Sequence, residues 1–160
     1  MATQTLTTAD ELLHFQLRTA LTMEDDSLAA LGVLEKAAKS QAIKKMFRHH
    51  AGETKDQIEN LHKVFEALDF KVTTAPSPST KGISKQAESL IMKSATGLRD
   101  HVVLASALGN EHYEIAAYQA LLIPVAAMGA SDALALLQSN MDQETHTSEE
   151  LKSQLERIAS

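Results

Sequence analysis

The chain has 160 residues, 44% of them hydrophobic but only 4% aromatic, and it has no Trp or Cys. That is enough apolar material for one core of ordinary size built on Ala and Leu. It excludes a disordered chain, disulfides, thiolate metal sites and cysteine catalysis. A net charge of -6, with no Lys or Arg before Arg18, speaks against a nucleic-acid partner. No apolar run approaches the ~18 residues of a membrane span, and the start MATQTLTTADELL lacks the order of a signal peptide. A cytoplasmic protein with no membrane partner is therefore expected.

The first helix opens on Thr8-Ala9-Asp10-Glu11, a Thr N-cap with Glu three residues on. Leu13, Leu17, Ala20 or Leu21, Leu28, Leu31 and Leu34 continue a helical seam over 8–38. A second helix over 41–68 turns Ile43, Met46, Phe47, Ile58, Leu61, Val64, Phe65 and Leu68 inward. The link around Lys39-Ser40 is short enough to make the two helices antiparallel neighbours. The stretch DFKVTTAPSPSTKG then reads as a loop, followed by a short helix over 83–94 with Ile83, Ala87, Leu90 and Ile91 on one side. A long helix follows over 98–128. Gly129 and Ser131 supply a C-cap and an N-cap, and the last helix runs over 132–158.

Two helical hairpins joined by a crossover of about thirty residues are thus expected within one domain spanning 1–160. A bundle with one long crossover is the ferritin-like arrangement, whereas up-and-down bundles use short loops throughout. The fold class expected is all-α, a ferritin-like four-helix bundle whose crossover carries a short extra helix.

Each long helix breaks its apolar stripe with polar or acidic residues. Glu24 interrupts the first seam. The second passes through His50, then Thr54 or Glu53, then Gln57 or Ile58. Glu111 and Glu114 interrupt the long helix after the crossover, and Glu144 the last one, between Met141 and Ser148. Counted from the two hairpin turns, these breaks fall at one height, with Glu114 and Glu144 offset by only about 3 Å at ~1.5 Å of rise per residue. Carboxylates crowded in a low-dielectric core would repel one another as bare anions. Two bridging divalent cations relieve that repulsion, and an oxygen-rich set suits iron or manganese better than zinc. The candidate metal ligands are Glu24, Glu53, Glu111, Glu114, Glu144 and His50.

HAGETKDQIENLHKVFEAL, LGNEHYEIAAYQAL and MDQETHTSEELKSQLERIA, with TMEDDSLAAL matching more loosely, resemble the YciE/YciF family of ferritin-like bacterial proteins from about Glu11 to Ala159. The resemblance implies a ferritin-like bundle, a homodimer, a link to bacterial stress responses and a di-metal centre. The chain departs from the general di-iron template of Glu-x-x-His on two helices. Glu53-x-x-Asp56 and Glu144-x-x-Thr147 lack the His, while His50 stands three residues before Glu53. His146, two residues from Glu144, should point away from it.

Three functions follow as expectations. One is a di-metal oxidoreductase acting on a small oxidant or on metal ion as substrate, of the ferroxidase or peroxide-handling type. The second is a non-catalytic structural or stress-associated bundle. The third is an iron-storage cage of the mini-ferritin kind, against which the missing basic tail and the intrachain cluster both count.

Overall fold

The computed structural model describes residues 5–159; residues 1–4 and 160 of the expected domain lie outside the described ones. The helices are α1 (Ala9–Ala37), α2 (Gln41–Ala67), α3 (Pro78–Lys93), α4 (Arg99–Ala127) and α5 (Ser131–Ala159), with a 3-10 turn at Thr96–Leu98 leading into α4. The capping box forms as the sequence predicts: Glu11 N–H donates to Thr8 Oγ1 at 3.1 Å, and Thr8 N–H donates to Glu11 Oε2 at 3.2 Å. Gly129 takes the left-handed conformation, φ 69°, that ends α4 and turns the chain into α5.

The extra helix differs from expectation. It begins at Pro78 rather than at 83, so part of the apparent loop is helical. Pro78 occupies the first turn, where a missing N–H removes no bond and a fixed φ suits the helix. Ala87 and Ile91 are buried on its inner side, while Leu90, expected there too, is exposed.

α1 packs on α2 and α4, and α5 packs on α2 and α4, which closes the four-helix ring. α3 lies across α1 and α4 on the outside. The chain reaches α3 along a polar ladder on α1 with four-residue spacing, one residue per turn. His14 Nε2 meets the Lys71 carbonyl at 3.0 Å, and Arg18 donates to the Thr74 carbonyl. Thr22 Oγ1 donates to the Ala75 carbonyl at 2.7 Å, and Asp26 accepts from Thr80 at 2.7 Å. The crossover thus climbs α1 in the direction of that helix, and α4 can begin beside the α1–α2 turn.

Asp100, in the first turn of α4, ties that end together. Its carboxylate accepts from the Lys39 N–H at 2.7 Å and from the Ser40 N–H at 3.1 Å. Ser40 makes no capping bond with its own side chain, and Asp100 instead pins the linker N–H groups just before α2. Asp100→Ala is expected to lower stability by about 1–2 kcal/mol, the loss of hydrogen bonds to a charged acceptor, without altering the mid-height layer. An unchanged urea midpoint would show this tie to be dispensable.

Candidate metal centre

Two apolar clusters fill the ends of the bundle. One gathers Leu13, Leu17, Leu61, Phe65, Tyr118, Leu121 and Leu137, and the other Leu31, Leu34, Ile43, Phe47, Leu104 and Leu151. Between them the side chains facing inward are polar. Glu24 and Ser27 come from α1, His50, Thr54 and Gln57 from α2, Glu111 and Glu114 from α4, and Asn140, Glu144, Thr147 and Ser148 from α5; all are buried. Spacings of three and four residues keep each set on one helix face. The break in four seams is therefore one polar layer across the bundle.

His50 occupies one side of the layer. Its Nε2 lies 3.0 Å from Glu111 Oε1 and 3.7 Å from Glu144 Oε2. Its Nδ1 lies 3.3 Å from both Glu53 Oε2 and Thr147 Oγ1. Burial alone would pull the imidazolium pKa down. Hydrogen bonds and the charges of Glu111 and Glu53 outweigh it and raise the pKa to about 10, so His50 is a cation donating from both nitrogens. The same bond holds the Glu53 carboxyl below its ordinary range.

Across the layer, Tyr118 O–H donates to Glu24 Oε1. Asn140 Nδ2 donates to Tyr118 Oη at 3.0 Å and to the Gln57 carbonyl at 3.1 Å, while its Oδ1 accepts from Asn60 at 2.8 Å. Burial pushes Glu24 up to about 8 against the Tyr118 bond, with the Glu111 charge adding to the rise. Glu114 and Glu144 are also raised well above the ordinary carboxylate range, by burial first and then by neighbouring carboxylates. Burial and the Glu24 charge raise the Tyr118 phenol in the same way.

Of the residues the sequence singles out, Glu24, His50, Glu111, Glu114 and Glu144 all lie in the layer. Glu53 is at its rim, 22% exposed, and reaches the layer only through His50. The open choice on α2 resolves to Thr54 and Gln57, which face inward. His50, Glu111 and Glu144 each offer a ligand atom within 4.8 Å of the others, a spacing that one cation can bridge. Glu24 and Glu114 lie in the same layer outside that trio. His146 points away as expected, its side chain 68% exposed. Asn140 and Ser27 are the layer residues that no sequence signal singles out. The seam on α5 runs through Asn140 rather than through Met141, and an uncharged amide or hydroxyl gives no acidic signal.

A bundle of two helical hairpins joined by one long crossover, with carboxylates gathered at mid-height, defines a ferritin-like protein. Over residues 8–160 the chain matches the family described as "Domain of unknown function (DUF892)", and it belongs to that family. It is 28% identical over 143 residues to Protein YciF of Escherichia coli (strain K12), covering 88% of this chain and 86% of that one. The structure of YcfI from Rhodopseudomonas palustris superposes with a TM-score of 0.90 at 27% identity, covering 95% of this chain and 98% of that one. The structure of the E. coli stress protein YciF does so with a TM-score of 0.89 at 26% identity, covering 94% and 96%. The resemblance to YciE/YciF proteins therefore holds over nearly the whole chain. Among the described residues no helix is long and apolar enough to cross a membrane.

Proposed function

We propose that the mid-height layer is a carboxylate-rich centre for two divalent metal ions, iron or manganese, in a cytoplasmic homodimer of the oxidative or general stress response. The observation that carries this reading is a set of buried oxygens short of donors. Glu24 Oε2, Glu111 Oε2 and both carboxylate oxygens of Glu114 and Glu144 are buried without a well-formed hydrogen bond among the described residues, with only Ser27 and Asn110 beside Glu114 and Glu111 beside Glu144. Buried acceptors are normally satisfied, and the cost of leaving them bare is several kcal/mol in aggregate. Cations satisfy them and cancel the repulsion at once. The donor set, many carboxylate oxygens and one imidazole, fits iron or manganese.

His50, Glu111 and Glu144 would hold one ion. Glu24 and Glu114 would supply the other carboxylates, with Glu53 reinforcing from the rim. When bound, such a pair of metals supplies one-electron chemistry toward a small oxidant, or toward ferrous iron as substrate. The chain's part is to orient and to exclude water. Tyr118 holds Glu24 in place, Asn140 holds Tyr118 and the α2 backbone, and α3 covers the layer from the α1–α4 side. The stress role rests on kinship with the E. coli protein whose structure is described in those terms.

The test is elemental analysis of protein produced with added iron or manganese. About two ions per chain are expected, falling to about one or fewer in Glu111→Gln and Glu144→Gln. Traces of metal unaffected by either substitution would favour a non-catalytic bundle, for which the His50–Glu111 ion pair is the supporting observation. Light scattering separates the homodimer from a cage.

A further inference from the structure

The cavities of the bundle differ in whether their walls contain residues of the buried layer. On the α2–α5 side, two grooves of about 580 Å³ and 590 Å³ reach His146 and the rim residue Glu53, but no buried layer residue lines either. On the opposite side, a chamber of about 20 Å³ lies between α1, α3 and α4, with Ser27 and Glu111 in its wall. Both belong to the layer and are buried. Outside the chamber, an open groove of about 540 Å³ runs between α3 and α4. The two cavities share three wall residues, Ile83 and Ala87 of α3 and Ser106 of α4. Those side chains form the partition between the open groove and the chamber that touches the layer.

The chamber is small and polar. About 20 Å³ holds roughly one water-sized molecule. Ser84, Ser106 and Asn110 add hydroxyl and amide groups to Ser27 and Glu111 in the wall. Asn110 Nδ2 donates to Ser27 Oγ at 3.1 Å, which leaves the Ser27 proton free to be donated onward. Glu111 Oε2 is buried without a well-formed hydrogen bond, and in the outer groove so is His101 Nδ1. A guest that donates and accepts hydrogen bonds is therefore favoured along the whole path. A hydrated cation is too large for the chamber, and an anion would meet the Glu111 carboxylate. α3 lies outside the four-helix ring, so a small shift of this helix admits a molecule of two heavy atoms without disturbing the bundle.

We propose that the α3–α4 groove and the chamber beneath it are the entry path and holding site for hydrogen peroxide, with Ile83, Ala87 and Ser106 as the gate that sets the size limit. This rests on the layer being a redox metal centre and names the oxidant that reaches it. The extra helix then has a use of its own. It closes the side of the layer that the ring alone would leave open, and it admits only a small uncharged molecule.

The chain has no cysteine, so a single introduced thiol reports entry. Hydrogen peroxide converts a thiolate to sulfenic acid, which dimedone traps for mass spectrometry. Ser27→Cys puts the thiol in the chamber wall, and Ser148→Cys puts one elsewhere in the layer, on α5; both serines are buried. All rates are measured with chelator present. Ser106→Leu is expected to slow oxidation of the Ser27→Cys thiol about tenfold and Ile83→Ala to speed it by a similar factor, because reactivity follows access. The Ser148→Cys thiol should respond to neither. No response at Ser27→Cys, or equal responses at both thiols, would overturn the path. Normalised to the urea-unfolded chain, hydrogen peroxide should outpace tert-butyl hydroperoxide about tenfold at the Ser27→Cys thiol. Equal normalised rates would overturn the size limit. Because no metal takes part, these rates judge the path alone, while elemental analysis judges the metal centre.

Discussion

Raising the pH of the chelated protein from 6 to 9 is expected to lower its melting temperature by roughly 10 °C, several kcal/mol at the ~2–4 °C per kcal/mol usual for a domain of this size. The folded chain holds Glu24 with a pKa of about 8, and Glu114 and Glu144 well above their ordinary value. Between the ordinary carboxylate pKa and these raised values, the folded state binds more protons than the unfolded state. Stability therefore falls as pH rises through that window. His50 acts in the same direction. Its folded pKa of about 10 gives a contribution that is full below the unfolded value near 6.5 and is lost as pH climbs toward 10. Four buried groups thus weaken the metal-free fold on the alkaline side.

Metal should reverse the trend. Ions displace the protons of the carboxylates and of His50, so binding releases protons and strengthens with pH. The stabilisation that iron(II) or manganese(II) confers should widen from pH 6 to pH 9, by the mass-action term of any ligand that binds only the folded state. Differential scanning calorimetry with and without chelator measures both slopes. A melting temperature that stays level or rises with pH in the chelated protein would mean that the layer does not hold its protons as described.

The architecture was legible because it depends on long periodic segments and one conspicuous gap. The capping box at Thr8 and Glu11, the short link at Ser40 and the Gly129 turn mark boundaries by local backbone chemistry, and each forms as the sequence indicates. The start of α3 was not legible. Ser, Thr and Pro before Gly82 have the composition of a loop, and it is Pro78 at a first-turn position together with packing against α1 and α4 that makes the stretch helical from Pro78. Within the layer, the height of each acidic break could be counted from the hairpin turns, which is why Glu24, Glu111, Glu114 and Glu144 were foreseen as neighbours.

Facing was harder to foresee than height. Residues 53, 54 and 57 all lie within one helix-face sector of the seam, and a step of 100° per residue leaves their order open. Packing of α2 against both α1 and α5 decides it in favour of Thr54 and Gln57, and leaves Glu53 at the edge. The consequence is chemical. The α2 position that would bring a carboxylate to the centre carries a threonine, and the imidazole comes from His50, one turn nearer the hairpin. The centre is therefore lopsided, with His50, Glu111 and Glu144 on one side and Glu24 and Glu114 left to carboxylate chemistry alone.

That lopsidedness makes Glu114→Met the most informative single substitution. Both Glu114 oxygens are buried, and the Ser27 and Asn110 side chains beside them form no well-made bond to either, so the carboxyl loses its water whether charged or neutral and gains little in return. A methionine of similar volume is expected to stabilise the chelated protein by about 1–3 kcal/mol at pH 8 and to abolish metal-dependent stabilisation. Gain of stability with loss of metal is the signature of a residue kept for its ligand and not for the fold. Glu24→Met is the built-in contrast. It removes the acceptor of the Tyr118 hydroxyl and leaves that buried donor bare, so its gain should be smaller or reversed. Urea denaturation of the two variants with chelator, and again with excess manganese(II), separates the cases. If Glu114→Met lost about 3–5 kcal/mol in chelator, the value of a broken buried pair, Glu114 would be part of a structural proton-sharing network. The layer would then be a stability element that needs no metal.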